Sequence, residues 1–364
     1  MPASKDGKMW RCQFYYTDWQ GVRHKKNKRG FRTKGEAEEW ERNFRQQQQK
    51  DLNMTFENFI QIYYVDMEHR LRRSSYINKK YIIDLKILPY FKNKIVSEIT
   101  PSDIRKWQNE LMSYKDESGK PYSQTYLKTI SNQMAAIFNY AEQYYDLKSN
   151  PYRKAGSFGR SRSDEMKIWT KEEFETFLKT VEDKPDSRLA FMILFWTGMR
   201  IGELLALTYS DIDFDNRVIH ITKSFQRIKG EDVVSEPKTE RGKRDITLPV
   251  FLAEEIEEYC KHLYGILPTE RMFTFTKSYM EHEIRRGIKE SGVRQIHLHC
   301  LRHSHCSMLI SLGYQPLEIA KRLGHEKVET TLNTYSHLYP NKQMEMADKL
   351  DQVLKEDKKD AGNP

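Results

Sequence analysis

The spacing of apolar residues changes twice along this chain, and each change limits what the chain can fold into. Residues 10–16 alternate apolar and polar side chains, which is typical of a strand with one buried face. Residues 54–150 instead carry apolar side chains at helical spacing, and after residue 165 helical stretches alternate with short strand-like runs. A chain of 364 residues can bury more than one core. The sequence therefore predicts a multidomain, mainly α protein.

The domain boundaries follow from these changes and from composition. The predicted units are a small N-terminal β-sheet plus helix (residues 1–50), a helical domain (54–152), a linker (153–164), a mixed α+β domain (165–350) and a disordered tail (355–364). The polar run 46–50 predicts the end of the first unit. The basic, Gly/Ser-rich composition of residues 153–164 predicts a flexible linker. In the last domain, the very apolar run 189–196 predicts a buried helix, with strands at 217–222 and 245–248.

Capping residues predict where several helices begin. The candidates are Thr33 with Glu36, Thr55, Thr100 with Pro101, and Thr170 with Glu173. The longest helix is predicted to run from Ser123 and to end at Asn150-Pro151. Its predicted core positions are Leu127, Ile130, Met134, Ile137, Phe138 and Ala141.

Positive charge is concentrated at the N-terminus. The chain carries a formal charge of +9, and residues 1–34 alone hold ten basic and two acidic side chains. Such a segment favours a polyanionic partner, with nucleic acid first and an anionic membrane surface second, because neutralised phosphates release counterions. We expect a soluble, intracellular protein, since no apolar segment is close to the length of a membrane span, which is about 18 residues. Four cysteines without C-x-x-C spacing predict free thiols.

Four motifs in the second half of the chain carry reactive side chains. Arg200 follows the apolar run and has Glu203 three residues later; Lys238 precedes a strand-like run; His299 and Arg302 lie three residues apart; Tyr335 lies ten residues after His325. This ordered set resembles the active site of the tyrosine recombinases, the phage integrase family. The resemblance covers residues 165–345 and implies the mixed α+β catalytic domain of that family.

The resemblance also assigns a role to each residue. Tyr335 would attack the scissile phosphate to form a 3′-phosphotyrosyl link, and Lys238 would protonate the departing 5′ oxygen. Arg200 and Arg302 would hold the non-bridging oxygens, where charge grows in the transition state. The remaining roles are a base-like one for His299, a hydrogen-bond donor for His325 and support of an arginine or histidine for Glu203. No metal or other cofactor is implied.

Competing interpretations exist for Lys238 and for the tract around His299. Lys238 has charged neighbours at Lys229, Lys243 and Arg244, and a lysine in a charged hairpin is usually only solvated. The tract around His299 is rich in potential zinc ligands, namely His297, Cys300, His303, His305 and Cys306. Its spacing fits no paired-ligand pattern, and a cation, Arg302, lies within it.

The first unit extends the resemblance to integrases of phages and integrative conjugative elements. Residues 29–40 resemble their arm-type DNA-binding domain, which implies a helix and a three-stranded sheet, with the sheet in the major groove. The DNA-binding candidates are Arg11, Gln13, Tyr15, Arg23, Lys25, Lys26, Lys28 and Arg29. Residues 54–152 would then be the core-binding (SAM-like) domain.

The implied function is site-specific DNA integration, and excision, of a mobile element through a Holliday junction. The implied partners are double-stranded DNA at core and arm sites and three further copies of the chain in a tetramer. A host bending or excision factor is left open, and the location would be the bacterial cytoplasm, at the nucleoid. The alternatives are a chromosome-dimer recombinase, a type IB topoisomerase-like enzyme and a DNA-binding regulator that has lost catalysis.

Overall fold

The computed structural model describes residues 3–17, 23–49, 52–161, 167–237, 239–262 and 267–335. The chain divides into two compact units at residues 164–165. None of the described helices is long and apolar enough to cross a membrane. The four cysteines all lie in the described ranges, and none of them forms a disulfide.

The N-terminal part is a three-stranded antiparallel sheet with one helix packed on it. Its elements are β1 (Ala3–Asp6), β2 (Met9–Thr17), β3 (Arg23–Phe31) and α1 (Lys34–Gln49), with sheet order β1-β2-β3. Cys12 and Phe14 of β2 pack against Ala37 and Trp40 of α1, which confirms the predicted strand face. The polar run 46–49 forms the last turn of α1, which ends at Gln49, inside the segment predicted to end the unit. Glutamine favours helix, and polarity alone does not end one.

The rest of the first unit is helical. Its helices are α2 (Phe56–Arg70), α3 (Arg73–Lys86), α4 (Leu88–Phe91), α5 (Pro101–Ser113), α6 (Gln124–Tyr144) and α7 (Pro151–Ala155). Thr55, Thr100 and Ser123 accept backbone hydrogen bonds as N-caps, and Asp103 completes a capping box with Thr100. All six predicted core positions of α6 are buried. Asn150, predicted to end α6, instead caps α7, because α6 already ends at Tyr144.

Much of the predicted linker is packed on this helical core, so the expectation of a flexible stretch is wrong for residues 153–160. Phe158 is 6% exposed and contacts the core, and the backbone N–H of Arg160 donates to Gln124 O at 3.1 Å. Gly159 has φ 74°, and a Cβ there would lie 2.3 Å from the backbone nitrogen of Lys128. Gly159 therefore permits close backbone contact rather than flexibility at this point.

The second unit surrounds a buried helix. Its elements are α8 (Lys171–Leu178), α9 (Pro185–Thr197), α10 (Ile201–Ala206), β4 (Ile212–Asp213), β5 (Val218–Ile221), β6 (Ser224–Ile228), β7 (Glu231–Ser235), β8 (Arg244–Thr247), α11 (Val250–Lys261), α12 (Lys277–Ser291), α13 (Cys300–Ser311), α14 (Pro316–Leu323) and α15 (Val328–Tyr335). Strands β4, β5 and β8 form one small sheet in that order, and β6 and β7 form a hairpin. The predicted capping box of Thr170 and Glu173 opens α8. The apolar run 189–196 lies in α9 and is central to the core, as predicted.

Candidate active site

Helix ends bring the candidate residues of the second unit together. Helix α9 is capped by Gly198, which is in a left-handed conformation (φ 66°), and Arg200 is the N-cap residue of α10. His299 precedes α13 and Arg302 lies in its first turn. Helix α14 is capped by Gly324, which is also left-handed (φ 68°) and directly precedes His325. A Cβ at Gly198 would lie 2.7 Å from the His305 ring, so the close approach of α9 and α13 requires glycine there.

Three arginines converge on the C-terminal end of α14. The hydrogen bonds run from Arg244 Nε to Arg322 O (2.8 Å), from Arg302 Nη2 to Leu323 O (2.7 Å) and from Arg200 Nη2 to Gly324 O (3.3 Å). Successive carbonyls at a helix C-terminus lack helical partners and carry partial negative charge, which favours cations. This end of α14 therefore holds the guanidinium groups close to one another despite their like charge.

Glu203 is the carboxylate of this cluster. It is 4% exposed, and its oxygens accept from the backbone N–H (2.9 Å) and Nη1 (2.8 Å) of Arg200 and from both Nη atoms of Arg244 (3.1 and 2.9 Å). Burial would raise the pKa of Glu203, but the hydrogen bonds and charge of Arg244, with the charge of Arg200, hold it below its usual value. Glu203 is thus ionised and orients two arginines.

The two candidate phosphate ligands differ in exposure. The side chain of Arg200 is 42% exposed, whereas Arg302 is 4% exposed and also donates from Nη1 to Gly198 O at 2.8 Å. Burial, followed by the charge of Arg200, lowers the pKa of Arg302 to about 9. Arg302 therefore stays charged at neutral pH, and both arginines offer positive charge to an anion.

The histidines of the site are neutral near pH 7. Burial, followed by the charges of Arg302 and Arg200, lowers the pKa of His299 and lowers that of His325 to about 4. The Nδ1 atom of His325 is hydrogen bonded to Thr331 Oγ1 at 2.8 Å. A neutral imidazole can accept a proton or donate one hydrogen bond, which suits both proposed roles.

Tyr335 is 2% exposed and packs against Cys306, Ile310, Ile319 and Leu323. Its hydroxyl is hydrogen bonded to Nδ1 of His303, whose ring lies edge-on to that of His299 with centroids 5.0 Å apart. Burial, with a smaller contribution from Cys306, raises the pKa of Tyr335. The phenol is therefore protonated in this arrangement and needs a proton acceptor to become a nucleophile.

His303 is the functional candidate that the sequence motifs missed. The sequence indicates it only as a possible zinc ligand, yet it is the histidine in contact with Tyr335. Burial, followed by His299 and Arg302, lowers its pKa to about 4, so its ring is neutral and can accept a proton. Its position four residues after His299, on one helix face, was the available signal.

Two predictions concern metal and Lys238. In the described ranges, no group of three or more His, Cys, Asp or Glu side chains is placed to hold a metal ion. Lys238 lies outside the described residues, and its role stays a prediction. The turn that follows it is tied to the site, because Arg241 Nη1 donates to Glu326 O at 2.5 Å.

The N-terminal candidates fall on two faces of the sheet. Six side chains share the face turned away from α1: Arg11, Gln13 and Tyr15 of β2, and Arg23, Lys25 and Arg29 of β3. Asn27, which pairs with Gln13 and was not predicted, lies between them. Lys26 lies over the Phe44 ring at 5.1 Å and Lys28 over the Trp40 ring at 5.4 Å, on the helix side. The structure therefore separates Lys26 and Lys28 from the other candidates.

The chain matches three family models in the order of its domains. The Phage integrase family matches residues 167–342, the Phage integrase, N-terminal SAM-like domain matches 55–112, and the Arm DNA-binding domain matches 3–48. Each match lies within one of the three parts described above.

Known relatives agree with these matches. ICEBs1 integrase of Bacillus subtilis (strain 168) is 33% identical over 341 residues, covering 88% of this chain and 91% of the relative. Two solved structures share the fold. The Tn1549 transposon integrase in complex with a circular intermediate DNA gives a TM-score of 0.67 at 22% identity, covering 83% of this chain and 99% of that one. A lambda integrase dimer bound to a core site gives a TM-score of 0.59 at 16% identity, covering 94% of this chain and 95% of that one. The chain therefore belongs to the phage integrase family, whose members are tyrosine recombinases that cut and rejoin DNA.

Proposed function

We propose that this protein is the integrase of a mobile element and that Tyr335 is its nucleophile. The observation that carries the proposal is the convergence of Arg200, Arg302 and His325 at the end of α14, with Tyr335 on the adjoining helix α15. The relatives support integration as the outcome, since they include ICEBs1 integrase and the Tn1549 transposon integrase.

The proposed reaction is a transesterification at a DNA phosphate. The Tyr335 oxygen forms a bond to phosphorus while the bond to the 5′ oxygen breaks, which leaves a 3′-phosphotyrosyl link and a free 5′-hydroxyl. The tyrosine proton passes first to Nδ1 of His303, to which the hydroxyl is already hydrogen bonded. His299 takes the base-like role after His303. Lys238 supplies the proton that the leaving oxygen takes up.

Arg200 and Arg302 stabilise the negative charge that grows on the non-bridging oxygens, and His325 donates a further hydrogen bond. Rejoining reverses these steps with a 5′-hydroxyl from another strand, so the phosphotyrosyl bond conserves the energy of the broken one. Strand exchange proceeds through a Holliday junction in the DNA, which four subunits bind. A lambda integrase tetramer solved on such a junction supports this arrangement.

The DNA partners divide between the domains. The basic sheet face that carries Arg11, Gln13 and Lys25 binds arm sites, and the helical domain with the catalytic unit binds core sites. Residues 336–364, which lie outside the described range, would include a segment that packs on a neighbouring subunit. A host DNA-bending or excision factor would set the direction of the reaction, which takes place on chromosomal DNA in the bacterial cytoplasm.

The test is cleavage of a suicide DNA substrate, followed by a two-site recombination assay. Wild-type protein should become covalently attached to DNA and should join the two sites. Tyr335→Phe should bind the same DNA with unchanged affinity and form no covalent complex. Covalent capture by that variant would refute the nucleophile assignment. Relaxation of supercoiled DNA without joining would indicate a topoisomerase, and binding without cleavage by the wild-type protein would indicate a regulator.

A further inference from the structure

A third arginine, Arg244 at the start of β8, lies behind the two proposed phosphate ligands. Its side chain is 6% exposed, so it is not placed to touch DNA. Its two Nη atoms bind the two oxygens of Glu203, and its Nε binds Arg322 O. Glu203 also holds the exposed Arg200 through both oxygens. One buried carboxylate is therefore shared between a surface arginine and a buried one.

The fit around Arg244 is close. A Cβ at Gly324 would lie 2.9 Å from Cδ and 3.1 Å from Nη1 of Arg244. The Nη1 atom also donates to Gly242 O at 3.2 Å, in the turn that follows Lys238. The same guanidinium thus contacts the turn after Lys238, the end of α14 before His325, and the carboxylate that holds Arg200.

We propose that Arg244 is a positioning residue for strand cleavage, acting through Glu203 on Arg200. Without Arg244, the charge of Glu203 would be balanced by Arg200 alone, and less positive charge would be directed at the scissile phosphate. With it, three arginines and one glutamate leave two net positive charges. That number matches the charge on the five-coordinate phosphate of the transition state, which exceeds that of the ground state by one.

This inference rests on the proposed assignment of Arg200 and Arg302 as phosphate ligands. Its rival is a purely structural role, in which Arg244 only stabilises the fold. The two differ in their dependence on phosphate charge. A methylphosphonate at the scissile position removes one negative charge from the ground state and from the transition state. A residue that tunes the field at the phosphate should matter less on that substrate, whereas a residue that holds the fold should matter equally on both.

The experiment compares full-length variants in single-turnover covalent cleavage of suicide DNA that carries either a phosphate or a methylphosphonate at the scissile position. Arg244→Met should slow cleavage of the phosphate substrate by about 100-fold, the loss typical of one missing charge-stabilising group. On the methylphosphonate the loss should fall below about ten-fold. The double variant Arg244→Met/Glu203→Gln should recover phosphate cleavage to within about ten-fold of wild type, because no uncompensated carboxylate then competes for Arg200.

Arg188→Met is the matched control. Arg188 binds Glu255 through both Nη atoms (2.8 and 3.3 Å) in the same unit but belongs to no part of the site. The Arg188→Met variant should cleave both substrates at wild-type rates. DNA binding and thermal unfolding, measured on every variant, separate a rate effect from a failure to fold.

Equal slowing of Arg244→Met on the two substrates, or no recovery in the double variant, would overturn the inference. If Arg244→Met does not fold, the double variant still decides, since it should fold and cleave. Arg200→Lys serves as the reference. If Arg200→Lys cleaves phosphate at the wild-type rate, the proposed phosphate site itself is wrong. If Arg200→Lys is defective and Arg244→Met is not, only the inference about Arg244 fails.

Discussion

A buried histidine on α13 should make the catalytic unit sensitive to acid. His305 is 2% exposed, and its Nε2 accepts a hydrogen bond from Nε of Arg322 at 3.1 Å, which requires an unprotonated ring nitrogen. Burial, followed by the charge of Arg322, lowers the pKa of His305 from 6.5 to about 3. Between these values the unfolded chain binds a proton at this ring and the folded chain does not. The free energy of unfolding is therefore fully retained above pH 6.5 and falls as the pH drops toward 3.

The size of the effect follows from the same two pKa values. Acidification from pH 7 to pH 5 should remove about 2 kcal/mol of unfolding free energy through His305 alone, because one pKa unit corresponds to about 1.4 kcal/mol. His305→Gln keeps an oxygen that can accept from Arg322 and has no titrating group. We expect this variant to be less stable than wild type at pH 7, because the ring packing is lost. Its stability should depend on pH less steeply, by about 2 kcal/mol over this interval.

Native-state hydrogen exchange of the α13 backbone amides, corrected for the intrinsic pH dependence of exchange, measures this difference in the full-length protein. Wild-type protection should fall by about 30-fold more than that of His305→Gln between pH 7 and pH 5, the equivalent of about 2 kcal/mol. Met308→Leu, a substitution on the same helix that removes no titrating group, is the control and should keep the wild-type slope. An identical slope in wild type and His305→Gln would refute the assignment of the acid sensitivity to this ring.

Two further predictions concern DNA. Lys25→Gln should weaken binding to an arm-site duplex and lower the slope of log affinity against log salt by about one, whereas Lys28→Gln, on the helix side of the sheet, should leave the slope unchanged. Fluorescence anisotropy over a salt series measures both, and equal slopes for the two variants would contradict the division into two faces. His303→Phe keeps a ring but lacks Nδ1, and covalent cleavage should slow by about 100-fold or more with DNA affinity unchanged. A wild-type cleavage rate in a single-turnover assay would exclude His303 as the first proton acceptor.

Sequence signals predict helices and strands well where the signal depends on residues that are close together in the chain. Thr100 and Asp103 form their capping box because the contact spans three residues, and the face of α6 is buried because its period is fixed by the helix. Predictions from composition were less successful. Residues 153–160 are polar and Gly/Ser-rich, but the aromatic ring of Phe158 packs on the core and helps to anchor the segment there. Lys26 and Lys28 share the charge of their neighbours, and only the register of β3 shows that they face α1.

The candidate site shows the limit of motif spacing most clearly. The motifs around Arg200, His299 and His325 indicate which side chains belong to the site. The arginines of the site are held by main-chain carbonyls at the end of α14, however, and a sequence motif does not encode backbone contacts. Gly324 allows this arrangement through its left-handed conformation and its missing Cβ, which leaves room for Arg244. Because one helix end orients three guanidinium groups and leads directly into His325, these residues should respond together to any change there, although they are far apart in sequence.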